Sequence, residues 1–450
     1  MSRPQLSSQG LLDRTEVRRS DGPLTDGAVA LSHACEPAPS ADVSGTPAST
    51  GAGAGGRPRS RLIGIDAARG IALVGMMGVH IFQPADSDGT MSLAWTLAGG
   101  KSAALFALLA GVGIAFTSGR RPPHGLAWRA NAAALVVRAL LIGTVGLLLG
   151  YVVPGSFAAV ILPYYALLFV LAIPLLSLSV RWLIGLAGFI AVAMPILSHL
   201  LRAHLPTAPE YNPTFSDVWH RPLELLRELA LTGVYPALAW TAYLCAGLAV
   251  GRAVLTSRRT VARIGLIGLA LVFASMAVSW LLLDVLGGRV RLETVALRSM
   301  SADEFKDIIT WGPTGVTPTD TGWWLATRLP HSSTPPDLLF TIGVALAVLA
   351  ACILLGRATT AVLRPLAAPG SMTLTLYSLH LLMLSSPFDP ENDLTSFLIQ
   401  VLVVVTFALV WSRYHTRGPL EAVVARATGA VRSRVMTAGS RKRTGGRHRR

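Results

Sequence analysis

Charge is scarce in this sequence: acidic and basic side chains together make up 14% of its 450 residues, while 52% are hydrophobic. With a mean hydropathy of +0.53, that balance excludes an ordinary set of soluble domains. Cysteine is equally rare. Cys35 lies in a polar N-terminal stretch and Cys245 and Cys352 lie in apolar runs, so no disulfide framework is implied. The three have no metal-ligand spacing, and they read as small apolar residues. No phosphate-binding Walker loop, dinucleotide fingerprint, zinc-spaced Cys/His set or serine-hydrolase elbow occurs, which speaks against an ATP-driven pump. The first 60 residues hold no apolar stretch of the kind a cleavable signal peptide needs, so the first spanning helix must itself direct insertion.

What is present is a series of apolar runs of about 18 to 22 residues, each able to cross ~30 Å of hydrocarbon as a helix. Lipid admits only self-satisfied helices or closed barrels, and these runs are too long for barrel strands. The predicted fold is therefore an all-α, polytopic bundle of about ten spans, at roughly 62–83, 99–118, 130–152, 157–178, 182–200, 230–251, 263–286, 337–356, 371–387 and 394–412. The net charge of +15 is mostly arginine and sits on one side of that layout: 28 of the 39 Lys and Arg fall in segments assigned to the cytoplasm and 8 in outer loops. The positive-inside rule then places both termini in the cytoplasm of an inner or plasma membrane protein. Nucleic acid is not an expected partner; membrane lipids are.

Three regions follow. Residues 1–60, rich in Ser, Gly, Ala, Pro and Arg, read as a disordered tail, 61–425 as the membrane domain, and 426–450 as a second, basic disordered tail that attracts anionic headgroups. Two outer loops are long, 201–229 and 288–336. The second carries Trp311, Trp323, Trp324 and His331, which fit either interface anchors or a platform for a sugar-like acceptor.

Ionisable side chains inside spans are costly and so mark candidate sites. The first span holds Asp66, Arg69 and His80. Eleven residues separate Arg69 from His80, three turns plus about 20°, so both share one face ~16 Å apart along the axis. Asp66 sits one turn from Arg69. An intrahelical ion pair plus a structural histidine is the plainer reading of the same three residues. His380 lies midway along 371–387, with Thr373 and Tyr377 on its face. That polar seam is either interhelical glue or the lining of a cavity in which a neutral imidazole accepts a proton. Lys101 opens the second span and either snorkels to the interface or neutralises an anionic group, and Arg138 in the third span is a similar case.

The stretch Arg61-Leu62-Ile63-Gly64-Ile65-Asp66-Ala67-Ala68-Arg69-Gly70, the helix ending Val79-His80, and Phe106-Ala107-Leu108-Leu109-Ala110-Gly111 resemble the opening of the transmembrane acyltransferase superfamily. The resemblance is to its heparan-α-glucosaminide N-acetyltransferase-like group and the bacterial DUF1624 and DUF418 families, with a partial likeness to acyltransferase-3 proteins. Tyr235-Pro236 through Tyr243 to Gly247-Leu248-Ala249-Val250-Gly251-Arg252, Leu376-Tyr377-Ser378-Leu379-His380, and Gly418-Pro419-Leu420-Glu421 extend it over about 61–425. The resemblance implies acetyl-CoA or another acyl-CoA as donor, with Arg69 near the CoA end and His80 as the base. In one respect the chain departs from that group. The glucosaminide acetyltransferases carry asparagine where His80 stands and a histidine in the following loop, and this chain has no histidine between Phe82 and Gly119.

The first reading is accordingly a membrane acyltransferase that passes an acyl group, acetyl above all, from cytoplasmic acyl-CoA to a hydroxyl or amine of an envelope glycan or lipid. Its catalytic candidates are His80 and His380, its donor-binding candidates Arg69, Asp66 and Lys101, and it needs no metal. The rivals are a transporter or flippase that uses the same seam as a path, and a non-catalytic partner of envelope machinery. Nothing in the sequence sets an oligomeric state.

Overall fold

The computed structural model describes residues 63–85 and 90–445; the tail expected at 1–60, with Cys35, lies outside them. Its helices are, in order, α1 Ile63–Ile81, α2 Leu93–Ala98, α3 Lys101–Ser118, α4 Gly125–Leu149, α5 Leu162–Leu175, α6 Val180–Arg202, α7 Phe215–His220, α8 Pro222–Arg227, α9 Ala237–Arg252 and α10 Arg258–Trp280. The remainder are α11 Gly288–Ala296, α12 Ala302–Trp311, α13 Pro335–Ala358, α14 Thr360–Gly370, α15 Thr373–Leu384, α16 Asp393–Tyr414 and α17 Pro419–Gly445.

Seven helical stretches among the described residues are long and apolar enough to cross a membrane. An eighth is the pair Pro222–Thr232 and Ala237–Arg252, bent by 55°. The protein is thus an all-α, multi-pass integral membrane protein. The count differs from ten because 157–178 and 371–387 form only the 14-residue α5 and the 12-residue α15, about 21 and 18 Å long. Prolines are one reason: Pro163 opens α5 and Pro174 lies in its last turn, and Pro387 follows α15. The flanking apolar residues form turns instead of extending the helix.

Burial sorts these helices. The stretch Leu93–Ser118 is 72% buried over its most apolar window, against 22% for Arg258–Val285 and for Asp393–Tyr414. The first is core; the other two turn side chains such as Phe273 and Leu402, each 66% exposed, toward the lipid. Lipid offers no hydrophobic drive for helix association, so close packing has to supply it. A Cβ on Gly247 of α9 would stand 1.9 Å from the Leu108 carbonyl oxygen of α3, and one on Gly370 of α14 would stand 1.7 Å from that of Asp66 in α1.

Three segments carry more structure than expected. The linker 357–370 contains α14, which packs along α1 despite Pro365 and Pro369. The long loop 288–336 folds α11, α12 and the 3-10 turn Gly322–Ala326 around a small core of Leu292, Ala296 and Trp324. The basic stretch read as a disordered tail from 426 is helical to Gly445. Leu420, Val424, Val431 and Val435 form one stripe of that helix, which lies on α4 and is tied by Arg432, whose guanidinium donates to the Thr117 carbonyl at 2.6 Å.

Candidate active site

The two histidines singled out in the sequence meet. His80 ends α1 and His380 sits in mid-α15; Nδ1 of His80 is 3.1 Å from Nε2 of His380, and the rings stack with centroids 5.4 Å apart. His380 is fully buried and its Nδ1 lies 2.6 Å from Oε1 of Gln400 on α16. The Gln400 amide nitrogen donates to Asp389 at 3.0 Å and to Ser396 at 3.1 Å, and the Ser396 hydroxyl donates to the same Asp389 oxygen at 2.8 Å. The result is a polar string that runs from His80 through the apolar helices to Asp389 in the turn between α15 and α16.

His80 forms part of the wall of a half-open cavity of about 1240 Å³; His380 stands behind it and does not reach the cavity. Much of the remaining wall comes from Trp95 in α2, from residues 155–159 and 205–213, and from α12 and the loop after it. Among the described residues four carboxylates line it, Glu210, Glu228, Glu304 and Asp307, against the single guanidinium of Arg202. That guanidinium is committed to the Thr317 carbonyl at 2.7 Å and to Ser198 at 3.0 Å. Glu228 opens a π-helical turn after α8, an irregularity often found at functional sites, and accepts from the Tyr164 hydroxyl at 3.4 Å.

His331, also in the cavity wall, was singled out in the sequence only as part of a loop. Its backbone is left-handed, with φ of 59°, a conformation that costs a non-glycine residue ~1–2 kcal/mol. Its Nε2 accepts the Gly100 N–H at 3.1 Å, which leaves Nδ1 as a buried donor with no protein partner. Burial, with the Lys101 ammonium adding to it, pushes its pKa down to about 4, so the ring is neutral at pH 7. Of the three tryptophans in its loop only Trp311 reaches the cavity. Trp324 is buried in the small core of that loop, where it donates to Asp320, and Trp323 packs under Arg291.

At the other end of α1, Arg69 pairs with Asp66 at 3.1 Å and keeps a quarter of its side chain exposed. It lies beside Gly113, where an added Cβ would be 3.2 Å from its guanidinium. Arg138 spreads over the Phe169 ring, 4.7 Å from its centroid, with Nε unpartnered. Lys101 does not join this group. It donates to the Thr96 and Gly99 carbonyls, twelve residues and about 18 Å along α3 from Gly113, and so belongs to the His80 end. On α1 the cavity reaches inward only to Met76, and Leu73 beyond it is fully buried. Among the described residues no three or more His, Cys, Asp or Glu are placed to hold a metal ion.

An imidazole at the wall of a polar, aromatic cavity, backed by a second one, can accept a proton from a hydroxyl or amine held there. Hydrogen-bonding and anion-directed roles at the far end are open to Arg69, whose guanidinium suits phosphate. Residues 61–280 match the family model described as "Heparan-alpha-glucosaminide N-acetyltransferase, catalytic", and residues 313–430 match "Protein of unknown function (DUF418)". No curated protein matches the chain. The His80–His380 contact joins the two matched regions.

Proposed function

Because this chain belongs to a membrane acyltransferase-like family, we propose that it moves an acetyl or other acyl group from acyl-CoA to a hydroxyl or amine of an envelope glycan or lipid. The observation that carries this reading is the histidine pair at the wall of the cavity: Nδ1 of His80 is held by His380, so Nε2 is the nitrogen left to face an acceptor. As the acceptor oxygen or nitrogen bonds to the thioester carbon, its proton passes to His80. The carbon–sulfur bond then breaks, CoA leaves as thiolate, and the thiolate takes that proton. Trp95, Tyr235 and Trp311 give the cavity aromatic faces, which pack on sugar rings, and the surrounding carboxylates accept from hydroxyls or bind an ammonium.

The orientation belongs to the same reading. Ten segments cross the inner or plasma membrane, α5 and α15 with their flanking turns included, and both termini face the cytoplasm, supported by the 28 to 8 bias of basic residues. Arg69 and Asp66 then lie on the donor side, where Arg69 binds CoA phosphate, and the cavity faces the acceptor side, among lipids. Leu73 and its neighbours must part for the thioester to reach His80, which makes an opening between α1 and α3 part of the cycle.

The test follows label from acyl-CoA into envelope extract, using membranes from a deletion strain as the blank. The bend between α8 and α9 is a feature transporters share; a transporter would yield no labelled product and would leave an unmodified solute or lipid on the cytoplasmic leaflet of the deletion strain.

A further inference from the structure

Three residues beyond the histidine pair bear on which nitrogen does the chemistry. An ionised Asp389 can only accept, and a primary amide is donor at one end and acceptor at the other. The Gln400 nitrogen is therefore drawn to Asp389 and Ser396, 3.0 and 3.1 Å away, and its oxygen is left to face His380 at 2.6 Å. An oxygen there requires a proton on Nδ1 of His380. A neutral ring protonated at Nδ1 is bare at Nε2, and that bare nitrogen accepts from Nδ1 of His80 at 3.1 Å. His80, protonated at Nδ1, is bare at Nε2, and it is the ring of the pair that meets the cavity.

We propose that Gln400, held by Asp389 and Ser396, is a positioning residue that sets the tautomers of both histidines and so makes Nε2 of His80 the basic atom. The inference rests on the acyl-transfer reading for its kinetic consequence but not for the proton order itself. Each proton in the string has one donor and one acceptor. When Nε2 of His80 takes the acceptor's proton, Nδ1 of His80 can pass its own to Nε2 of His380, and Gln400 still accepts from Nδ1 of His380. No group is left with an unmatched donor. Burial makes the order binding: Gln400 and His380 are both fully buried and Ser396 nearly so, so no bulk water competes to satisfy a wrong tautomer.

The experiment uses the full chain in lipid nanodiscs, labelled with 15N-histidine, with the His80 and His380 signals identified by subtraction in His80→Gln and His380→Gln. The parent should show His380 protonated at Nδ1. In Gln400→Leu that signal should move toward the Nε2–H form, and kcat for acyl transfer should fall about 10- to 100-fold with KM for both substrates little changed, less than the loss of the base itself. Asp389→Asn, which frees the amide to turn over, should act in the same direction. Gln400→Glu combined with Asp389→Asn keeps an accepting oxygen at Nδ1 without setting two carboxylates together, and should recover most of what Gln400→Leu loses. A His380 signal that stays at Nδ1–H in Gln400→Leu overturns the inference whatever the rate does. If the tautomers are as assigned and respond to Gln400 while the parent transfers no acyl group, the proton order stands and the acyltransferase reading falls.

Discussion

His80 and His380, three hundred positions apart in the chain, stand ring over ring with their facing nitrogens 3.1 Å apart. If the two act as a unit in proton transfer, their substitutions should not add. His380→Ala should slow acyl transfer, and the double variant His80→Ala/His380→Ala should be no slower than His80→Ala alone. A double variant whose loss equals the product of the two single losses would mean independent roles. The measurement is a double-mutant cycle on kcat in purified protein.

Arg69 makes a prediction about the donor. If its guanidinium meets CoA phosphate, Arg69→Ala should weaken acyl-CoA binding by about 10- to 100-fold, the ~1.5–3 kcal/mol of a charge-assisted bond. Arg69→Lys should recover part of this, as a point charge without the bidentate fork. Calorimetry with a non-hydrolysable acyl-CoA analogue reads it, and equal affinities across the three proteins would return Arg69 to a structural role.

His331 makes the stability of the cavity wall depend on pH. Its folded pKa of about 4 lies below the ordinary ~6.5, so between these values the unfolded chain binds the proton and the folded one does not. Stability from the neutral ring is complete above about pH 6.5 and is lost as pH falls toward 4. On acidification from pH 7.5 to 4.5 the parent should lose about 1–3 kcal/mol that His331→Gln does not lose. Parallel melting curves across that range for the two proteins would contradict this.

Gly247 tests the packing. Even alanine there would bring a carbon to 1.9 Å from the Leu108 carbonyl oxygen, and α3 and α9 would have to part. Gly247→Val should cost at least 1–3 kcal/mol and lower the yield of folded protein. Gly185→Ala on lipid-facing α6 meets nothing within 4 Å and should leave stability unchanged or raised, since alanine is the better helix former. Thermal melts in one detergent compare them directly.

The sequence made the ends of this site legible and hid its middle. His80 and His380 stood out because a titratable group in an apolar span has few structural excuses. Their contact could not be read, since nothing local links α1 to α15. Gln400 went unremarked because a neutral amide carries no charge signal, although Ser396 and Gln400, four residues apart in an otherwise apolar span, are the spacing that should have shown a polar face. Lys101 raised the same flag as His80, and its position at the His80 end, with its ammonium on the Thr96 and Gly99 carbonyls, could not be read from its place at a helix start. Two prolines hid α14, and arginine and glycine content hid the amphipathic stripe of α17. The alternation of apolar runs gave the bundle, but a run counts its flanking turns as span, and so α5 and α15 read longer than they are.

Most direct is the rate of label transfer from acyl-CoA to envelope acceptor by purified parent, His80→Ala and His80→Gln. Glutamine can fill the space and hydrogen-bond but cannot take a proton at neutral pH. Both variants should bind acyl-CoA as the parent does and transfer about 10²- to 10⁴-fold more slowly, the usual contribution of a general base. Transfer by either variant at the parent rate would contradict the account.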